Sequence, residues 1–392
     1  MMAGSAKEAT MELPGPAKPQ TTIFTVMSAL AQRHGAVNLG QGFPDESGPA
    51  HVVEAAVAAM REGRNQYPPM PGVLELRQAI AAHQRDWYGL EPGVEDGVVV
   101  TAGASEAIAA AMLAFVRPGD EVVAMEPFYD SYKASVELAG GAIVPWPLEA
   151  PEFRPDLDRL AALVNDRTRL LLVNSPHNPT GTVLDRAELE GIARIAVERD
   201  LLVVTDEVYE HLVFGGRSHE PIAALPGMWD RTVTIGSAGK TFSVTGWKIG
   251  WATGPAALVD RVKGVKQYLS FASGTPFQYG IAAALGSGRD YYEAYLASYA
   301  ERRDLLAQGL AGLGFTVYEP EGTYFITASA APLGYGDGMA FCLELPERCG
   351  VVAIPNQVFY ADPAAPRPEV RFTFCKPRAV LEEGLERLRK GL

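Results

Sequence analysis

The chain has 392 residues, of which 47% are hydrophobic and 21% charged, and its formal net charge is −13 at neutral pH. That length favours two domains over a single core, and the acidic balance excludes nucleic acid or an anionic membrane as the main partner, since both require a basic face. Cys342, Cys349 and Cys375 form no C-x-x-C pair, which points to a reduced, cytoplasmic protein without a disulfide framework or structural zinc.

In chain order, residues 1–20 are small, polar and punctuated by proline. They lack the apolar stretch of a signal peptide and read as a loose N-terminal arm. The stretch "LGQGFPD" (39–45) reads as a turn. It is not a dinucleotide fingerprint, because G-x-G-x-x-G fails at Asp45. From about 97 to 255, short apolar runs alternate with helical patterns. "VVVT" (98–101) precedes a helix from about Ser105, "EVVAM" (121–125) one from near Tyr129, and "RLLLVN" (169–174) an amphipathic helix at 186–200, after which "LLVVTD" (201–206) follows at once. Continuous Leu/Val runs separated by helices indicate strands covered on both faces, hence a largely parallel α/β sheet. The most apolar stretch, "AIAAAMLAFV" (107–116), is too short to cross a bilayer. After about residue 285 a long helix (290–312) leads to "FTVYE", "TYFITAS", "VVAIP", "VRFTF" and a last helix. The expected division is an arm (1–20), a segment joining the small domain (21–50), a large domain (51–285) and a smaller α+β domain (286–392).

In open parallel sheets ligands collect beyond the carboxyl ends of the strands, so the polar residues after each apolar run are the candidates. "AGASEA" follows the first run and offers either an anion nest at a helix start or an ordinary cap around Ser105. "SPHNPTG" centres on Asn178 and by itself reads as a rigid turn. Asp206 ends a fully apolar run, where a carboxylate needs a cation, a donor or a helix to cap. "TIGSAGKT" (234–241) contains Gly-Lys-Thr, but a P-loop needs a glycine five residues before the second one, and that position is Thr234. Lys240 therefore serves something other than a nucleotide phosphate grip. Together an anion nest, a carboxylate, an amide, the phenol of Tyr209 and a lysine form a set suited to pyridoxal phosphate, which needs donors for its phosphate, an anion at its ring nitrogen and an amine for its aldehyde. The six histidines show no metal-ligand spacing, so no metal is expected.

The ordered motifs "LGQGFPD", "NQYPP", "EPFYDSY", "NSPHNPTG", "TDEVYEHL", "SAGKTFSVTGWKIGW" and "VRFTF" resemble those of class I/II aminotransferases of fold type I over nearly the whole chain. Within that class the chain is similar to the kynurenine, glutamine–phenylpyruvate and methionine aminotransferases, and "PFYDSY", "NQYPPMPG" and "SGTPFQ" to N-succinyldiaminopimelate aminotransferases. The resemblance implies a pyridoxal-phosphate enzyme moving an amino group from an L-amino acid to a 2-oxo acid. It makes Lys240 the Schiff-base lysine and proton carrier and Asp206 the partner of the pyridinium nitrogen. Asn178 and Tyr209 would hold the ring hydroxyl oxygen, and Phe128 would stack on the ring face. Gly103, Ala104, Ser105, Ser237 and Lys248 would cup the phosphate, Lys248 standing where many relatives carry arginine. Tyr67 would reach the phosphate of a second subunit, implying a homodimer with shared sites. Arg371 would fork onto the substrate carboxylate, with Gly42 and Asn178 beside it. For the substrate side chain, aromatic candidates are Phe24, Phe43 and Phe271, and cationic ones Lys133, Lys266 and Arg289. The alternative on the same cofactor is a C–S β-lyase acting on cysteine conjugates.

Overall fold

The computed structural model describes residues 22–392; the expected arm, 1–20, lies outside them. A seven-stranded sheet runs in the order Val98–Thr101, Gly250–Thr253, Thr232–Ser237, Leu202–Asp206, Thr168–Asn174, Glu121–Glu126 and Ala142–Pro147. The last five strands pair in parallel, and Gly250–Thr253 is antiparallel to both its neighbours. The sheet is thus the largely parallel one that the apolar runs imply.

Burial on both faces explains those runs. Successive residues of a strand point to opposite sides. Leu170 and Leu172 pack with helices Ala104–Phe115 and Ala256–Leu269 on one face, while Leu171 and Val173 pack with helix Arg186–Glu198 on the other. Each side chain so buried contributes roughly 1.5–3 kcal/mol. Helix Arg186–Glu198 starts where a capping box predicts, with Asp185 accepting from the Glu188 amide and the Glu188 carboxylate accepting from the Asp185 amide. Strand Ala142–Pro147 has no sequence signal, because its two prolines read as breakers. It is tolerated because it is the sheet edge, where missing donors face no neighbour.

The second core belongs to a smaller unit. An antiparallel sheet orders Ile354–Pro355, Glu369–Thr373, Phe325–Ser329 and Thr316–Tyr318. Met27 and Leu39 from the start of the chain are buried with Phe341, Val352 and Phe372 from its end, and Val37–Asn38 pairs in parallel with Val351–Val352. Helix Arg289–Gly312 buries Tyr292 in a large-unit cluster and Tyr299, Leu306 and Leu310 in the small-unit core, so it spans the two. Among the described residues no helix is long and apolar enough to cross a membrane.

Candidate active site

The carboxyl ends of strands Val98–Thr101, Thr168–Asn174, Leu202–Asp206 and Thr232–Ser237 face a cavity of about 440 Å³. Strand Gly250–Thr253 runs the opposite way and enters at that same edge, opposite Thr101 and Ser237. It therefore delivers Lys248, two residues before its start, to the place where the others deliver the residues just after them.

Eleven of the anticipated residues line this one cavity: Gly42, Gly103, Ala104, Ser105, Asn178, Asp206, Tyr209, Ser237, Lys240, Lys248 and Arg371. Gly103 takes φ +78 as the cap of helix Ala104–Phe115, and a Cβ there would stand 3.0 Å from the Lys248 ammonium. A side chain at 103 would therefore be strained and would fill the gap between the helix start and that cation. Asp206 is 5% exposed; one oxygen accepts from the Tyr132 hydroxyl at 2.6 Å and the other from the Val208 amide at 3.3 Å. Burial raises its pKa, while the Tyr132 hydrogen bond, the Val208 amide and Lys240 oppose the rise. Lys240 sits in the short helix Ala238–Thr241, whose start is capped by the Ser237 hydroxyl. Its ammonium lies 5.6 Å from the Tyr324 ring centre and 5.8 Å from that of Tyr209, and burial lowers its pKa to about 8.

Arg371 comes from the small unit, in the strand Glu369–Thr373. It donates to the Asn178 side-chain oxygen at 2.9 Å and the Gly40 carbonyl at 3.3 Å, and its guanidinium lies 3.9 Å over the Phe325 ring. It is 2% exposed and its Nε is unpartnered. A buried guanidinium without a carboxylate among its hydrogen-bond partners is costly unless a ligand anion completes it. Asn178 is held by Asn174, whose oxygen accepts from the Asn178 amide at 2.9 Å and whose amide donates to the Asp206 carbonyl at 2.8 Å.

Two positions anticipated for the cofactor lie elsewhere. Phe128 is 3% exposed, packs in the sheet–helix core and does not line the cavity; Tyr129 lines it instead. In the extended approach to helix Asp130–Leu138, neighbouring side chains turn to opposite sides, and the second aromatic is the one that faces the cavity. Tyr67 is 85% exposed, edge-on to Phe271 at 5.9 Å and outside the cavity of its own chain. Phe24 and Phe43 line the cavity and Phe271 does not; nor do Lys133, Lys266 and Arg289. The Lys266 ammonium donates to the Phe271 carbonyl, and Arg289 covers the Trp87 ring. Residues not anticipated from the sequence include Tyr129, Asn174, Tyr132, Gln41 and Phe325. Asn174 and Tyr132 lay inside motifs already singled out, and polarity at a strand end was the available signal for Asn174. Removing the Tyr132 hydroxyl with Tyr132→Phe leaves a buried carboxylate with one donor fewer. The expected result is about a 10–100-fold loss of turnover, the size of a hydrogen bond to a charged group, checked by steady-state kinetics with a thermal melt to exclude unfolding.

Residues 35–388 match the aminotransferase class I and II family. The chain is a class I and II aminotransferase. Among the relatives of this aminotransferase, a probable N-succinyldiaminopimelate aminotransferase of Mycobacterium tuberculosis is 52% identical over 379 residues, covering 94% of this chain and 95% of the relative. The methionine aminotransferase of Escherichia coli is 41% identical over 370 residues, covering 94% and 96%. The solved Mycobacterium tuberculosis structure superposes with a TM-score of 0.92 over 95% of this chain and 97% of that one, which establishes the fold-type I α/β architecture. The aminotransferase depends on pyridoxal phosphate. The cavity fits that cofactor: a side-chain-free helix start beside a lysine for the phosphate, a buried carboxylate and a lysine of lowered pKa.

Proposed function

We propose that the two ends of an amino-acid substrate are read by Arg371 and Lys240, and that the substrate side chain lies against Phe24, Phe43, Tyr129 and Phe325. The observation that carries this reading is the buried, incompletely partnered Arg371 guanidinium in the same cavity as Lys240. Arg371 forks onto the α-carboxylate, with Asn178 and the side-chain-free Gly42 beside it. Pyridoxal phosphate, when bound, offers an aldehyde carbon for the substrate amine and a ring that takes up the electron pair released at Cα. Lys240 would take the proton from the substrate Cα and deliver it to the carbon that was the cofactor's aldehyde, the shift that transamination requires. Asp206, braced by Tyr132, presents its carboxylate toward the cofactor ring, Tyr209 and Asn178 hold the ring hydroxyl, and Tyr129 covers the ring face. Gly103, Ala104, Ser105, Ser237 and Lys248 receive the phosphate. Lys248 supplies a point charge where an arginine would supply a fork.

The exposed Tyr67, Tyr268, Leu269 and Phe271 form an apolar surface suited to a second copy of the chain, which supports a homodimer with Tyr67 serving the neighbouring site. Three free, buried cysteines accord with a reduced cytoplasmic setting, and the relatives' names accord with a role in amino-acid biosynthesis.

The aromatic walls favour a methionine-like or aromatic donor. A second reading, an N-succinyldiaminopimelate-like donor, is favoured by the 52% identical relative. It requires a cation for the distal carboxylate, and the nearby Lys376 is engaged by Asp45 at 2.7 Å and the Phe43 carbonyl at 2.9 Å. Mixing holoenzyme with each amino acid, without an acceptor, decides between them. About one oxo acid per site identifies the donor, and a response to the succinylated donor alone removes the first reading. Continuous release of pyruvate and ammonia would instead place the enzyme with the C–S lyases.

With the Lys240 pKa lowered to about 8, the amine is mostly protonated at pH 7 and mostly neutral at pH 9. Neutral amine is the form that captures an aldehyde. Cofactor uptake by the apoenzyme, followed by absorbance, should rise about tenfold from pH 7 to pH 9 and then level off.

A further inference from the structure

A second cluster lies on the far side of the segment that carries Asp206 and Tyr209. Helix Leu74–Tyr88 places His83 against His211, their Nε2 atoms 2.8 Å apart and their rings nearly perpendicular at 82°. Glu210 completes the group, and one ligand atom from each of the three residues lies within 4.8 Å of the others. We propose that His83, His211 and Glu210 form a binding site for a divalent transition-metal ion of the zinc class, separate from the cofactor cavity.

Three observations converge on it. The donor set, two imidazoles and one carboxylate, is that of open zinc sites with a fourth position left to water. His83 is 4% and Glu210 8% exposed, and the Glu210 Oε2 has no hydrogen-bond partner. A buried carboxylate oxygen of that kind is costly to leave unpaired, and a cation would satisfy it. The two Nε2 atoms share a single contact, in which one must hold the proton. Metal binding needs both free, so that proton moves to Nδ1 of the donating ring, and the metal–nitrogen bonds must offset the lost ring–ring contact and an unpartnered His83 Nδ1. Tetrahedral ligation at about 2.0–2.1 Å sets two nitrogens roughly 3.3 Å apart, so the rings need part by only about half an ångström. His83 also lines a separate surface pocket with Asp86, Ser287 and Arg289, which gives an entry path. Trp87 and Tyr292 pack against His211 at 4.7 and 4.3 Å and against each other at 5.0 Å. His83 and His211 stand 128 residues apart, so no ligand-spacing motif could reveal them.

The test uses cofactor-loaded enzyme stripped with chelator, then given Zn²⁺ or Co²⁺ without any amino acid and desalted. The proposal requires one metal ion per chain, a raised Tm with Zn²⁺, and for Co²⁺ the strong visible absorption of a low-coordinate nitrogen/oxygen site. His83→Gln and His211→Gln should lose the ion while keeping the cofactor, and Glu210→Gln should weaken retention by about tenfold or more. Equal retention by wild type and both histidine variants would overturn it, and so would a wild type that retains no ion. Should a variant fail to fold, X-ray absorption of the wild-type Co²⁺ form decides: imidazole scattering supports the site, and its absence refutes it.

Discussion

Replacing Lys240 by alanine is expected to lower turnover by about 10⁴-fold or more, the upper range for loss of a positioned acid–base group compounded by loss of the attacking amine. The fold should survive the change. Alanine is the best helix former, and the helix Ala238–Thr241 keeps its Ser237 cap. The lysine ammonium contributes an unfavourable burial of charge, seen in its pKa of about 8, so a thermal melt of the apoenzyme should be unchanged or slightly raised. Single-turnover kinetics with a saturating donor measures the first effect. Reductive trapping followed by peptide mass spectrometry measures its cause: cofactor attached at Lys240 in the wild type and nowhere in the variant. Turnover within tenfold of wild type would remove Lys240 from the reaction.

Arg371→Lys should lower kcat/KM by about 10²–10³-fold, or roughly 3–4 kcal/mol at 1.4 kcal/mol per factor of ten. The charge is kept, so the loss measures geometry. Arg371 spends one N–H on Asn178 and another on the Gly40 carbonyl while its Nε remains unpartnered, and it stacks 3.9 Å over Phe325. A lysine ammonium has neither the planar fork nor the stacking face. Because the α-carboxylate is common to all amino-acid donors, the loss should be nearly equal for methionine, aromatic and succinylated donors. A loss confined to one donor would mean that Arg371 reads the side chain instead.

The parts of this protein legible in its sequence are those with local causes. The runs 98–101, 121–125, 169–174 and 201–206 read as buried strands because both faces are covered, and their observed bounds differ by a residue or so. The polar residues after them fell into one cavity because a parallel sheet aligns its strand ends. Phe128 and Tyr129 show the limit of such reading. Both are aromatic in one extended stretch, and only the packing of helix Asp130–Leu138 against the sheet decides which one turns inward. Arg371 was indistinguishable from an ordinary sheet arginine by pattern alone, since its role arises from contact between the two units; resemblance to a family pointed to it. Pairings across the chain, such as His83 with His211 and Tyr132 with Asp206, had no local cause at all.

The parallel pairing of Val37–Asn38 with Val351–Val352 has a consequence for synthesis. The small unit is not contiguous: its first strand leaves the ribosome about 300 residues before the partner that completes it, roughly 15–60 s at ordinary elongation rates. During that interval Met27 and Leu39, both fully buried in the finished protein, have no permanent covering. The large unit can condense on its own nascent sheet, whereas the strand that carries Arg371 arrives last. Arg371 therefore joins the cavity after Lys240 and the helix start at Gly103 have already been made.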